Sequence, residues 1–350
     1  EVRGPLKLFP AAATAAALIL LCAGWTRGEG RESGTDDGAG EITLVATGDI
    51  RLDGAHGAVI RLLGPAAPTR RVRPWLSGDI VFGNLETAVT RRGEKADKKW
   101  NFRCPEENLA ALSAAGYTVL NLANNHVMDY GPTGLGDTLA ALARRGFLHM
   151  GAGKDMAAAR KPVFVSAGGF RIGFLGLTST VPEFMWAKSR KPGTAYSDFD
   201  RFPLWIGEAR KECDLLVVSF HGGTEKMEAP QPIQRAFGRA AVDAGADLVL
   251  GHHPHVLQAV EFYKGKPILH SLGNFLFVSP APATRWSAIA RIRLSREGVR
   301  RIEFLPVVTW PPLRPAGAKG RQAVLEALDG DGALSAHPDL FSVLNPEAED

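Results

Sequence analysis

Three histidines, His252, His253 and His255, fall within the stretch "LVLGHHPHVLQ" (Leu248–Gln258) of a chain that has only 9 histidines in 350 residues. Packing gives no reason to bunch imidazoles at the end of an apolar run, whereas metal coordination does. The same arrangement, an apolar run with a polar end, recurs in "ITLVATGDI", "DIVFGNLET", "YTVLNLANNH", "CDLLVVSFHGG" and "PILHSLGNF". Together these ends supply Asp49, Glu86, Asn125, His126, His221, His253 and His255. Carboxylate, imidazole and amide oxygen form a hard-to-borderline ligand set, suited to Mn, Fe, Zn or Ca rather than to thiolate-seeking metals. Two neighbouring ions usually share a bridging carboxylate, and Asp49 and Glu86 are the acidic candidates at strand ends. Such a site can activate a water and clamp the attacking and leaving oxygens of a phosphoryl displacement. In the H-x-H pair, Pro254 stiffens the loop so that His253 and His255 can serve adjacent ions.

The elements that must position these groups are also legible. Apolar runs of this length without alternation are the signature of strands covered on both faces. Segments such as "PEENLAALSAAG" and "IQRAFGRAAVDAG" between them have helical spacing. The pattern predicts a layered α/β domain, in which functional groups gather beyond the carboxyl ends of the strands.

Six segments, "GDIRLDG", "GNLETAVT", "NLANNHVMDYG", "HGGTE", "GHHPHVLQ" and "SLGNF", in this order and spacing, carry a family resemblance. From Glu41 to Phe277 the chain resembles the capsule-synthesis (CapA, poly-γ-glutamate biosynthesis) family of the calcineurin-like metallophosphoesterase superfamily. The resemblance implies a four-layer α/β/β/α sandwich in one large domain, with two divalent ions (Mn, Fe or Zn). It implies that Asp49 is the first-motif aspartate, Glu86 the bridging carboxylate and Asn125 the amide ligand, with His221, His253 and His255 as imidazole ligands. It further implies His126 as the group that protonates a leaving oxygen. Asp129 then orients it, since a carboxylate on the far ring nitrogen fixes the tautomer and raises basicity.

Two departures from the pattern matter. The superfamily opens with D-x-H, whereas Arg51 stands two residues after Asp49 and cannot ligate a metal; one ion is then short of a ligand. The tryptophan common after the histidine matching His221 is replaced by Gly222, which predicts a more open rim. Of the remaining candidates, Asn124 reads as a turn residue and His270 as structural, while His252 points elsewhere and Asn274 is open between a turn and the site. His56, His149 and His337 have no partners nearby in sequence. The run "RRGEKADKKW" reads as a solvated loop, with the alternative that Lys98 and Lys99 place cations near an anionic substrate.

Composition excludes other classes. Forty-one basic and 37 acidic residues give a net charge of +4 with no concentrated basic block, and no basic helix is interleaved with aromatics, so nucleic acid is not an expected partner. The chain has no G-x-x-x-x-G-K-[ST] loop and no G-x-S-x-G elbow. The unpaired cysteines Cys22, Cys104 and Cys213 suggest neither a disulfide framework nor a thiolate site. Residues 1–25 read as a signal peptide or short membrane anchor and 26–40 as a flexible linker, which predicts work outside the cytoplasm, whether secreted, periplasmic or anchored. The domain is expected over 41–312, with 313–350 as an extension whose one amphipathic helix covers it. Two functions fit. One is a metal-dependent hydrolase acting on a phosphoester or an anionic cell-envelope polymer, favoured by His126 with Asp129. The other is a non-catalytic, polymer-binding component of a membrane exopolymer synthesis or export assembly, favoured by Arg51.

Overall fold

The computed structural model describes residues 40–345, so the expected leader and nearly all of the linker lie outside the described residues. Two sheets form the centre. An eight-stranded sheet runs in the order Arg314–Pro315, Gly298–Val308, Trp286–Ser295, Ile42–Ile50, Ile80–Leu85, Val119–Asn121 and Leu148–Met150, with Phe341–Val343 also pairing Gly298–Val308. A six-stranded sheet runs Leu257–Tyr263, Lys266–Leu272, Leu248–His252, Leu215–His221, Phe170–Thr178 and Val163–Ala167. Within each sheet the strands that end in the polar clusters are parallel to one another.

Alternate side chains on each strand serve different layers, because successive residues point to opposite faces. Leu44 and Ala46 meet Phe174, Val217 and Leu250 in a core between the sheets. Val45, one position along, instead joins Leu112, Leu135 and Leu142 beneath the helices Ala110–Ala115 and Gly131–Arg144. On the second sheet Leu216 and Val218 pack under Phe202 and Phe237, from the helices Phe202–Arg210 and Pro232–Asp243. Helix, sheet, sheet and helix are therefore stacked in the four layers that the resemblance implied. The segment expected as an extension is built into this stack: Val324, Leu328 and Phe341 lie in the core between the sheets. No helix among the described residues is long and apolar enough to cross a membrane.

The two sheets meet where the polar strand ends converge. The Asp49 amide donates to Gly273 O (2.9 Å) and the Phe275 amide to Asp49 O (2.8 Å), which ties the end of the first strand to "SLGNF". Gly48 permits this approach, since a Cβ there would fall 2.0 Å from Gly273 O.

Candidate metal centre

The first sheet supplies the acids and amides. In register, Asp49 lies beside Asn84, and Asn84 beside Asn121, across three neighbouring parallel strands. The Asn121 amide donates to Asn84 Oδ1 (2.9 Å), and the Asn84 amide to Asp49 Oδ1 (2.8 Å), so a row of asparagines fixes the aspartate. Glu86 follows the second strand directly, and both its carboxylate oxygens are buried with no hydrogen-bond partner. Asn125 and His126 come from the turn after Val119–Asn121, which Asn124 shapes by accepting the amides of His126 and Val127 at 3.0 Å each.

Imidazoles arrive from the second sheet. His221 ends its strand with Nε2 2.9 Å from Asn125 Oδ1 and 3.3 Å from Glu86 Oε1. His253 and His255 follow the strand Leu248–His252 with φ of 99° and 60°, the left-handed region that non-glycine residues rarely occupy. That backbone brings His255 Nδ1 to 3.1 Å from Asp49 Oδ2 and 2.9 Å from Asn274 Oδ1. Potential ligand atoms of Glu86, His221 and His253 lie within 4.8 Å of one another, as do those of Asp49, Glu86 and His255. Glu86 belongs to both groups, which is the arrangement of a carboxylate shared by two cations.

Beside them is a proton-handling pair. His126 Nδ1 lies 2.7 Å from Asp129 Oδ2, and His126 Nε2 lies 4.0 Å from Glu86 Oε1. Asp129 Oδ2 also accepts the Phe102 amide (2.6 Å), and the Phe102 ring stacks on His126 at 4.1 Å between centroids. Lys98 is not a solvated loop residue: its Nζ lies 2.5 Å from Asp129 Oδ1 and donates to the Asn125 carbonyl. Lys99 instead lies over the Trp100 ring, with Nζ 5.2 Å from its centroid.

The electrostatics follow from burial, with Asp49, Glu86 and His221 all at 0% exposure. Burial pushes the Asp49 carboxyl up, but His252 and His255 outweigh it and hold it well below its ordinary value. Burial and the Asp49 charge push Glu86 well above its own. Burial lowers His221, and it brings His253 down to about 3 with help from His255. Burial would lower His255 as well, yet Glu86 and Asp49 carry it up to about 9. Burial pushes His126 down to about 4 against the pull of Asp129.

A buried carboxylate with neither oxygen hydrogen-bonded is costly unless a cation is there to offset it. Glu86 is such a group, and its oxygens face imidazole and amide donor atoms of borderline hardness, so the residues fit a divalent ion. All eight residues expected at the site, Asp129 included, come together. His252, expected to point elsewhere, instead lies beside the site, with its ring near Phe82 and its Nδ1 3.4 Å from Asp49 Oδ1. His270 is tied to Glu261 (3.0 Å), away from the site. Asn84 and Asn121 received no role from the sequence, because an asparagine near a strand end reads as a turn residue. The expected open rim at Gly222 is not found: the residue is buried, and a Cβ there would fall 2.4 Å from Ser179 Oγ and 2.6 Å from the Phe220 ring.

Arg51, two residues after Asp49, cannot ligate a metal. Its guanidinium is paired with Asp53 and lies 3.9 Å from the Phe102 centroid and 5.5 Å from that of Phe277.

Comparison with known proteins finds a family profile and several relatives. A family profile described as bacterial capsule synthesis protein PGA_cap matches residues 43–279. The PGA biosynthesis protein CapA of Bacillus subtilis is 37% identical over 80% of this chain and 76% of its own length. The capsule biosynthesis protein CapA of Bacillus anthracis is 34% identical over 83% of this chain and 73% of its own. Among solved structures, a phosphatase from Mycoplasma pneumoniae superposes with a TM-score of 0.49 at 13% identity, covering 81% of this chain and 96% of that one. With a profile match across more than half its length and relatives above 30% identity over most of it, the chain belongs to the bacterial capsule synthesis protein family.

Proposed function

We propose that this chain is a metal-dependent hydrolase of capsule or poly-γ-glutamate metabolism. Its substrate on this reading is a phosphoester, or an ester or amide of an anionic cell-envelope polymer, met outside the cytoplasm beside membrane proteins of polymer synthesis or export. The observation that carries the reading is the buried, unpartnered Glu86 shared by two ligand groups, with His126 and Asp129 within reach of it. Asp49, Glu86, Asn125, His221, His253 and His255 would hold two divalent ions, which supply an acidified water and charge neutralisation at phosphoryl oxygens. The protein's own groups do the rest. Asp129 holds the Nδ1–H of His126, so Nε2 faces the site and exchanges a proton with the reacting oxygen. Because burial keeps the imidazole neutral at neutral pH, it must first collect a proton before it can donate one to a leaving oxygen.

A fragment starting at Gly40 is expected to hold about two transition-metal ions per chain, lost in Glu86→Ala and His253→Ala, with elemental mass spectrometry as the measurement. With Mn²⁺ added, it is expected to turn over a chromogenic phosphomonoester or phosphodiester. His126→Ala should lower kcat by roughly 10²–10⁴ without loss of metal. Activity no higher than that of His126→Ala on either substrate would favour the second reading, a polymer-binding component of a synthesis or export assembly. Arg51 in place of a ligand is the observation on that side.

A further inference from the structure

We propose that a cleft next to the metal centre, lined by Arg285, Arg314, Trp286 and Trp310, binds the carboxylates of an anionic polymer and so holds the chain beyond the reacting bond. The proposal rests on the anionic-polymer form of the reading above and adds the place where that chain lies.

The backbone sets the position of the cleft. Phe277 packs 4.6 Å from His255, and the next residues, Val278 and Ser279, form part of the cleft wall. The segment Gly273–Asn274 bridges Asp49 on one side and Ser287 on the other. Ser287, the neighbour of Trp286, therefore lies two strand spacings, roughly 10 Å, from Asp49. Trp286, Val308 and Arg314 stand in register across three neighbouring strands, so their side chains share one face of the sheet. The turn that carries Arg285 is held by main-chain and hydroxyl bonds: the Thr309 amide donates to the Arg285 carbonyl (2.9 Å), and the Thr284 hydroxyl to the Ala281 carbonyl (2.6 Å).

The lining selects the ligand. The cleft measures about 310 Å³ and has two arginines, two tryptophans and no acidic residue in its wall. Arg285 lies over the Trp286 ring, 5.9 Å from its centroid, and neither Arg285 nor Arg314 has a carboxylate partner among the described residues. Trp310 is 60% exposed, an open position for an indole. Unpaired guanidiniums receive carboxylates in a bidentate fork, and indole faces pack the methylenes between one carboxylate and the next. A second cleft of about 600 Å³ begins at Val256, directly after His255, and shares Pro282, Arg285 and Trp286 with the first. It carries Glu228, Glu326 and Asp331 beside Lys319, and these carboxylates repel an anionic chain. Charge therefore directs the polymer into the smaller cleft.

The test is calorimetric titration of the full chain with poly-γ-glutamate, with dextran sulfate as the comparison polyanion. The parent is expected to bind poly-γ-glutamate, and the double variant Arg285→Gln/Arg314→Gln to raise Kd roughly tenfold or more while keeping its metal content. Trp310→Ala should also raise Kd. Lys161→Gln/Lys211→Gln, an equal loss of charge beside the helix Phe202–Arg210, should leave it unchanged. No binding by the parent, an equal loss in the lysine variant, or dextran sulfate bound as tightly and lost in the same variants would overturn the proposal. Turnover of a chromogenic phosphoester by a parent that binds no polymer would overturn it and leave the hydrolase reading standing. Polymer binding that depends on the arginines, without turnover of any substrate, would support it and count against hydrolysis.

Discussion

Lys98 shows how much a single side chain can do inside this site. Its ammonium neutralises Asp129 and fixes the carbonyl of Asn125, so it sets the position of the imidazole and the amide ligand together. Lys98→Met is expected to lower kcat about tenfold or more with little change in KM, and Lys98→Arg to recover part of it. A rise in KM with kcat unchanged would instead mean that the lysine touches substrate. Nothing in "RRGEKADKKW" distinguishes Lys98 from Lys99, since both sit in a polar run; only the fold turns one inward. The histidines were legible because imidazoles at strand ends have few other uses. Asn84 and Asn121 were not, because their role exists only once three parallel strands are in register.

At the scale of elements, the first strand and the segment Gly273–Phe275 act as one unit, and Gly48 is its tightest point. Gly48→Ala forces main chain against main chain. It is expected to cost about 3 kcal/mol or more, roughly 6–12 °C in Tm for a domain of this size, as measured by calorimetry. Because Asp49 is the next residue, metal content should fall with stability, whereas Gly136→Ala, on the exposed face of a helix, should leave metal content unchanged and raise stability slightly. The strands themselves were readable as buried apolar runs. Helix limits were less so: the helix that follows "NLANNHVMDY" begins at Gly131, with Pro132 in its first turn. Proline fits there because the first helical amides lack partners in any case.

Over the whole molecule, Glu261 and His56 add to the acid sensitivity that Asp49, His126, His221 and His253 bring. Burial pushes the Glu261 carboxyl up, but His270 and Arg239 outweigh it and leave it at about 2, against an ordinary 4.5. Between those values the folded state binds fewer protons than the unfolded one, so this stabilisation is present above pH 4.5 and fades as pH falls toward 2. His56, lowered by burial from 6.5 to about 4, acts the same way: its contribution is present above pH 6.5 and fades toward pH 4. Urea titrations should show a stability that declines in these two windows, with Glu261→Gln making the lower decline shallower and His56→Asn the upper one. The C-terminal segment was harder to place from sequence, because its helix reads as a surface cover. Its apolar face enters the central core only because a second sheet lies opposite. The site draws Asp49, Glu86 and Asn125 from one sheet and His221, His253 and His255 from the other. A bound ion therefore works as a rivet between the two halves of the sandwich, and the folded protein behaves as a metal buffer. Raising free Mn²⁺ to a hundred times its Kd should add about 2.7 kcal/mol to unfolding, and a chelator should take it away.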